Sequence, residues 1–337
     1  MSQTSNILDA LRRNGHVLDP HAHLAPLNGG VSSEVYLVED SGRKFVVKRA
    51  LPKLNVKDDW FADIGRNTSE RDYIACVNQM MPGAVPQLYF SCPEKGYFGM
   101  EFLDESFTNW KDLLLAGDAR IRHAELAGNI LGEIHRRTAY DDSLRTQFDT
   151  TANFCQLRIE PYLLTTGARH PSLQGAFEAE AKRLEATREA LVHGDFSPKN
   201  ILINGDRMVL LDCEVAWYGD PAFDVAFLLN HFFLGSLYHA PRVLEHQHMV
   251  DIFWRTYVQH RSGIDANRIE ERLALLLPML LLARVDGKSP VEYLTPARQE
   301  FIRTFAYKSI TSPAGLANLC DRWFAEIAKL ELLGTNA

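Results

Sequence analysis

The segment Val192-His193-Gly194-Asp195-Phe196-Ser197-Pro198-Lys199-Asn200, followed after a short hairpin by Leu211-Asp212-Cys213-Glu214, decides how this chain is read. The hairpin consists of two strand-like runs, Ile201–Ile203 and Met208–Leu211, around the turn sequence Asn204-Gly205-Asp206. Asp195 and Asn200 are five residues apart, so one loop can point both into a cleft, and Asp212 emerges beside them from the returning strand. Hard oxygen donors converging in this way suit Mg²⁺, which takes one or two carboxylates plus substrate phosphates. Either fragment alone reads as an ordinary turn or strand end. With the hairpin between them they read as a site.

Working outward, the stretch between Leu27 and Phe102 has a strand texture. Val35–Val38 and Phe45–Val47 flank the turn Ser41-Gly42, and Gln87–Cys92 and Tyr97–Phe102 flank Pro93-Glu94-Lys95-Gly96, which predicts two hairpins. Between them Thr68–Met81 predicts a helix, capped at Thr68 or Ser69 and ended by Pro82-Gly83. Ahead of the first hairpin, Gly29, Gly30, Ser32 and Ser33 form a loop whose backbone N–H groups can cover phosphates. Lys48 on the following strand can meet those phosphates, held by a helix carboxylate: Glu70 best, Asp72 as the alternative. From about Phe107 the texture becomes helical, as in Leu126, Ile130, Leu131 and Ile134, with another amphipathic stretch at Ala176–Ala190. The expected division is 1–103 and 104–337, joined by a short hinge at Leu103–Glu105, with no repeat or low-complexity linker.

Composition narrows the function classes. At roughly 150 residues per domain, 337 residues suggest about two domains or one bilobed unit. With 46% apolar and 23% charged residues there is material for a sizeable core. A net charge of −7 offers no basic surface in the aggregate for nucleic acid or anionic membrane. Five scattered cysteines, never spaced CxxC, indicate neither a disulfide framework nor a zinc site, and a reducing compartment fits. Met1–Gly15 lacks the apolar core of a leader, and the greasiest run, Leu273–Ala283, is too short to span a bilayer and contains Pro278. The chain is expected to be cytoplasmic, as a monomer or homodimer.

The order Gly-rich loop, strand Lys, helix Glu, HGD-x₄-N and D-x-E resembles the aminoglycoside phosphotransferase and choline kinase-like superfamily over about residues 27–230. That resemblance implies an α+β, protein-kinase-like bilobal fold: a small antiparallel sheet lobe binding the nucleotide and a mostly helical catalytic lobe. It implies ATP and Mg²⁺ as cofactors, with Asp195 as catalytic base, Asn200 and Asp212 on the metal and Glu214 in its outer shell. Lys48 would contact the α- and β-phosphates with Glu70 as partner. Adenine would meet the backbone of Glu101 and Leu103, with Met100 behind it. Asp224 would accept N–H bonds from the His193-Gly194 loop.

Asp212-Cys213-Glu214-Val215-Ala216-Trp217-Tyr218-Gly219, with Phe223-Asp224 soon after, is similar to the methylthioribose kinase pattern D-P-E-F-A-F-Y-G followed by F-D. Around Arg284 the chain is similar to the segment where that family carries paired substrate-facing arginines, although Ala283 and Pro290 replace the first arginine and a histidine. Asn200 stands where that family commonly has Ser, and Lys199 where Gly is usual. Arg284 and Trp217 are the expected acceptor contacts, with Asp286 and Lys288 nearby. The expected activity is phosphorylation of a hydroxyl on a sugar or related metabolite. The alternatives are an aminoglycoside 3′-type phosphotransferase, a choline/ethanolamine-type kinase, or a nucleotide-binding pseudokinase.

Overall fold

Alternation of apolar residues along two neighbouring strands builds the first part of the computed structural model, which describes residues 3–27, 33–50, 66–260 and 265–332. These fall in two compact units, Met1–Phe107 and Thr108–Ala337. In the first, strands β1 (His23–Pro26), β2 (Ser33–Asp40), β3 (Arg43–Ala50), β4 (Leu88–Cys92) and β5 (Tyr97–Glu101) form an antiparallel sheet in the order β1-β2-β3-β5-β4. The β2–β3 hairpin closes through Ser41 and Gly42, with φ of 50° and 81°, both in the left-handed region that suits the right-handed twist of paired strands.

Because side chains alternate across a strand, Phe45 and Val47 face one side and Val46 and Lys48 the other. Phe45 and Val47 join a core with Val38, Tyr97 and the helix Gln3–Arg13, which contributes Ile7 and Leu11. That helix and β1 were not expected from the sequence. The helix Arg66–Met80 buries Glu70, Tyr73, Ile74 and Val77, a stripe at i, i+3, i+4 and i+7. It starts two residues before Thr68, so Thr68 and Ser69 lie in its first turn rather than at its cap. Gly29, Gly30 and Ser32, expected to cover phosphates, lie outside the described residues; Ser33 opens β2, buried and opposite Ala50.

The second unit is mostly helical. Its strands form two small sheets, β6 (Thr108–Asn109) with β8 (Ile201–Asn204) and β9 (Arg207–Leu210), and β7 (Ala190–Val192) with β10 (Trp217–Gly219). The helix Ala222–Tyr238 is buried along almost its whole length and packs on Ala266–Asp286 and Val243–Tyr257. The stretch expected to run helical to Ala190 divides: its helix is Gln174–Ala186, and Ala190–Val192 pairs with β10. A three-residue apolar run has too few positions for periodicity to tell helix from strand. Among the described residues no helix is long and apolar enough to cross a membrane.

Candidate active site

β7 delivers the chain into His193-Gly194-Asp195, and a buried carboxylate holds that turn. Asp224, near the start of the helix Ala222–Tyr238, accepts hydrogen bonds from the backbone N–H of His193 (2.7 Å) and Gly194 (2.9 Å), as the motif resemblance implied. Gly194 has φ of 78°, and a Cβ there would stand 2.5 Å from the Val215 carbonyl oxygen, so only glycine fits. The Asp195 N–H donates to His193 Nδ1 (3.2 Å), which puts the imidazole proton on Nε2, where it faces the Leu211 carbonyl at 3.1 Å. Burial pushes the His193 pKa down, in keeping with that neutral ring.

The β8–β9 register explains why the metal candidates converge. Ile201 pairs with Leu210, and the Leu211 N–H donates to the Asn200 carbonyl (2.8 Å), so Asn200 and Asp212 emerge beside each other. Asn200 Nδ2 donates to the Asp195 carbonyl (3.1 Å). Asp212 adopts φ of 58°, an uncommon conformation for a residue with a Cβ and one that concentrates at functional sites. Cys213 between the acids is fully buried.

Two cations meet the Asp195 carboxylate. Arg158 Nη2 and Lys199 Nζ each lie 3.0 Å from Oδ2, and Arg158 Nε also donates to the Gly194 carbonyl (2.6 Å). Burial works to raise the Asp195 pKa, but Lys199 and Arg158 outweigh it and hold the carboxyl well below the usual range. Burial likewise opposes the charge on Arg158, and Asp195, Tyr162, Glu214 and Asp212 keep it protonated. Arg158 was not singled out from the sequence. It sits on a wide π-helical turn, Cys155–Leu164, which contains Pro161, and such turns recur at functional sites. No spacing rule marks a cation that reaches Asp195 from a distant helix.

Asp195 lines a cavity of about 180 Å³ in the second unit, together with Tyr162, His231, Tyr238, Glu292 and Arg284. Arg284 Nη1 donates to the Ser289 carbonyl (2.5 Å) and hydroxyl (3.0 Å). The other acceptor candidates stand elsewhere. Trp217 is fully buried and stacks on Phe154 at 4.0 Å, a core position away from the cavity wall. Asp286 pairs with Arg303 and His170, and Lys288 with Glu160.

In the first unit, Lys48 Nζ lies 2.8 Å from Glu70 Oε1 with both side chains buried, while the alternative, Asp72, pairs with Arg71. Met100 is buried on β5. The Glu101 N–H bonds the Gln87 carbonyl (2.8 Å), and Leu103 follows two residues beyond the strand.

With this geometry in hand, the comparisons with known proteins define a class. The fold is α+β and kinase-like: the solved structure of amicoumacin kinase hAmiN in complex with AMP-PNP, Ca²⁺ and Ami superposes with a TM-score of 0.54 at 14% identity, over 93% of this chain and 97% of that one. The chain belongs to the phosphotransferase enzyme family, whose profile matches residues 23–243. Among curated relatives, methylthioribose kinase from Bacillus pumilus is 25% identical over 281 residues, 74% of this chain and 70% of that protein. The Escherichia coli methylthioribose kinase is 23% identical over 241 residues, 63% of this chain and 57% of that protein, so the chain spans little more than half of that relative's length.

Proposed function

We propose that the chain is an ATP- and Mg²⁺-dependent small-molecule kinase that transfers the γ-phosphate to a hydroxyl of a sugar or related metabolite, as the name methylthioribose kinase describes for its relatives. The observation that carries the reading is Asp195: a buried carboxylate, kept ionised by Arg158 and Lys199, in the wall of a small-molecule-sized cavity. In this reading Asp195 orients the acceptor hydroxyl and takes its proton. A carboxylate with so depressed a pKa is a poor base in the ground state. In a loose phosphoryl-transfer transition state the hydroxyl proton leaves late, so orientation matters more than basicity.

The residues present fit Mg²⁺. Asn200 and Asp212 offer hard oxygen atoms from adjacent backbone positions, and Glu214 acts electrostatically on the same Arg158. Among the described residues no three His, Cys, Asp or Glu side chains gather into a metal cage. Mg²⁺ needs none, since substrate phosphates complete its shell. When bound, the ion would neutralise charge on the transferring phosphate. The first unit, in this reading, is the nucleotide lobe: Lys48, set by Glu70, contacts the α- and β-phosphates, and the backbone of Glu101 and Leu103 with Met100 receives adenine.

Asp195→Asn tests the assignment. It keeps the size of the side chain and removes the charge, so turnover is expected to fall at least about 10²-fold while nucleotide affinity, read by calorimetry, is retained. Turnover within a few-fold of wild type would reject Asp195 as the base.

A further inference from the structure

We propose that the acceptor is a small hydroxy acid, its anionic group seated on Arg284 in the cavity whose opposite function is carried by Asp195. This inference rests on the phosphotransfer reading above and names its substrate class. The charges lining the cavity are Asp195, Lys199, Arg284, Lys111 and Glu292. Asp195 and Lys199 neutralise each other at 3.0 Å. Of the remaining lining charges, Arg284 and Lys111 are cationic and one, Glu292, is an exposed carboxylate. Among the described residues Arg284 forms no ion pair: its bonds go to Ser289 and, at 3.4 Å, to the Tyr162 hydroxyl, and its Nε is buried without a hydrogen-bond partner.

A guanidinium anchored through one nitrogen and lacking a counterion is a preformed seat for a carboxylate, the ligand that matches its fork. The surrounding groups do not compete for it. Burial first and Arg284 second push His231 down to about 3, so that ring is neutral, and burial pushes Tyr293 up to about 12, so no phenolate forms. Size agrees: about 180 Å³ is close to the roughly 150 Å³ that holds a benzene ring and below the roughly 300 Å³ at which drug-sized sites begin. A polycation meets a charge mismatch here, since Lys111, Lys199 and Arg284 outnumber Asp195 and Glu292 in the lining.

The test is calorimetric binding to the full chain of three matched pairs that differ only in charge: glycerate and glycerol, erythronate and erythritol, gluconate and glucitol. At least one acid is expected to bind about tenfold more tightly than its alcohol, the ratio a single charge-assisted contact of about 1.4 kcal/mol supplies. Arg284→Gln is expected to abolish that ratio and Arg284→Lys to keep most of it. An alcohol bound as tightly as its acid in every pair, no detectable binding of any acid, or a preference that survives Arg284→Gln overturns the inference. Binding needs no turnover, so the two readings fail separately. Acid binding without phosphate transfer rejects the kinase reading and leaves only the anion seat at Arg284, whereas transfer confined to alcohols or aminoglycosides rejects this inference alone.

Discussion

Lys48 and Glu70 are only 7% and 2% exposed at the side chain, and their 2.8 Å contact is made where water screens little. Removing one member of a buried ion pair leaves the other charge in a poor solvent, typically at about 3–5 kcal/mol. Lys48→Met is therefore expected to destabilise the first unit by about 3 kcal/mol, read as a lowered denaturant midpoint. The double variant Lys48→Met with Glu70→Leu should recover much of that loss, because apolar replacement of both partners removes both buried charges. A single variant as stable as wild type would show that the contact is not a tight buried pair. At this scale the motifs were informative: Lys48, Glu70, Asp195, Asn200, Asp212 and Asp224 were each legible as residue types in fixed order. Trp217 was not, because an aromatic beside a motif looks the same whether it faces a ligand or, as here, the buried ring of Phe154.

At the scale of elements, the helix Ile121–Thr138 carries a charge cluster that can be titrated apart from the site. Hydrogen bonds from Arg136 and then Arg137 outweigh partial burial and hold Glu133 at about 2 against an ordinary value of 4.5. A carboxyl whose folded-state pKa is depressed stabilises the fold fully above its unfolded value and loses that contribution as pH falls through the folded one. Glu133→Gln is accordingly expected to lower Tm relative to wild type at pH 7, with the difference shrinking below pH 4.5 and vanishing near pH 2. A Tm difference that stays constant across that range would contradict the pairing. The hairpins were readable because period-two alternation and the turn residues Ser41-Gly42 and Gly205 agree with each other. The i→i+5 widening of the helix Cys155–Leu164, which carries Arg158, was not, since its period departs from the 3.6-residue pattern by which a helix is recognised.

At the scale of the whole molecule, the cavity beside Asp195 is assembled from stretches far apart in the chain. Its walls come from the turn at Asp195, from Tyr162 on the segment Cys155–Leu164, from His231 in the buried helix and from Arg284 and Ser289 more than fifty residues later. Only tertiary packing brings those stretches together: the motifs singled out Asp195, and the methylthioribose kinase-like segment singled out Arg284, but no motif marked the cavity wall between them. The family match over residues 23–243 stops before Arg284, which lines the same cavity as Asp195.

The most direct measurement is ³¹P NMR of the wild-type chain incubated with ATP, Mg²⁺ and the hydroxy acid and polyol panel, with Asp195→Asn in parallel. The account predicts a phosphomonoester resonance that appears with ADP only when an acceptor is present, and that the Asp195→Asn chain fails to produce. ATP consumed to free phosphate alone, or a phosphomonoester formed equally well by Asp195→Asn, would contradict it.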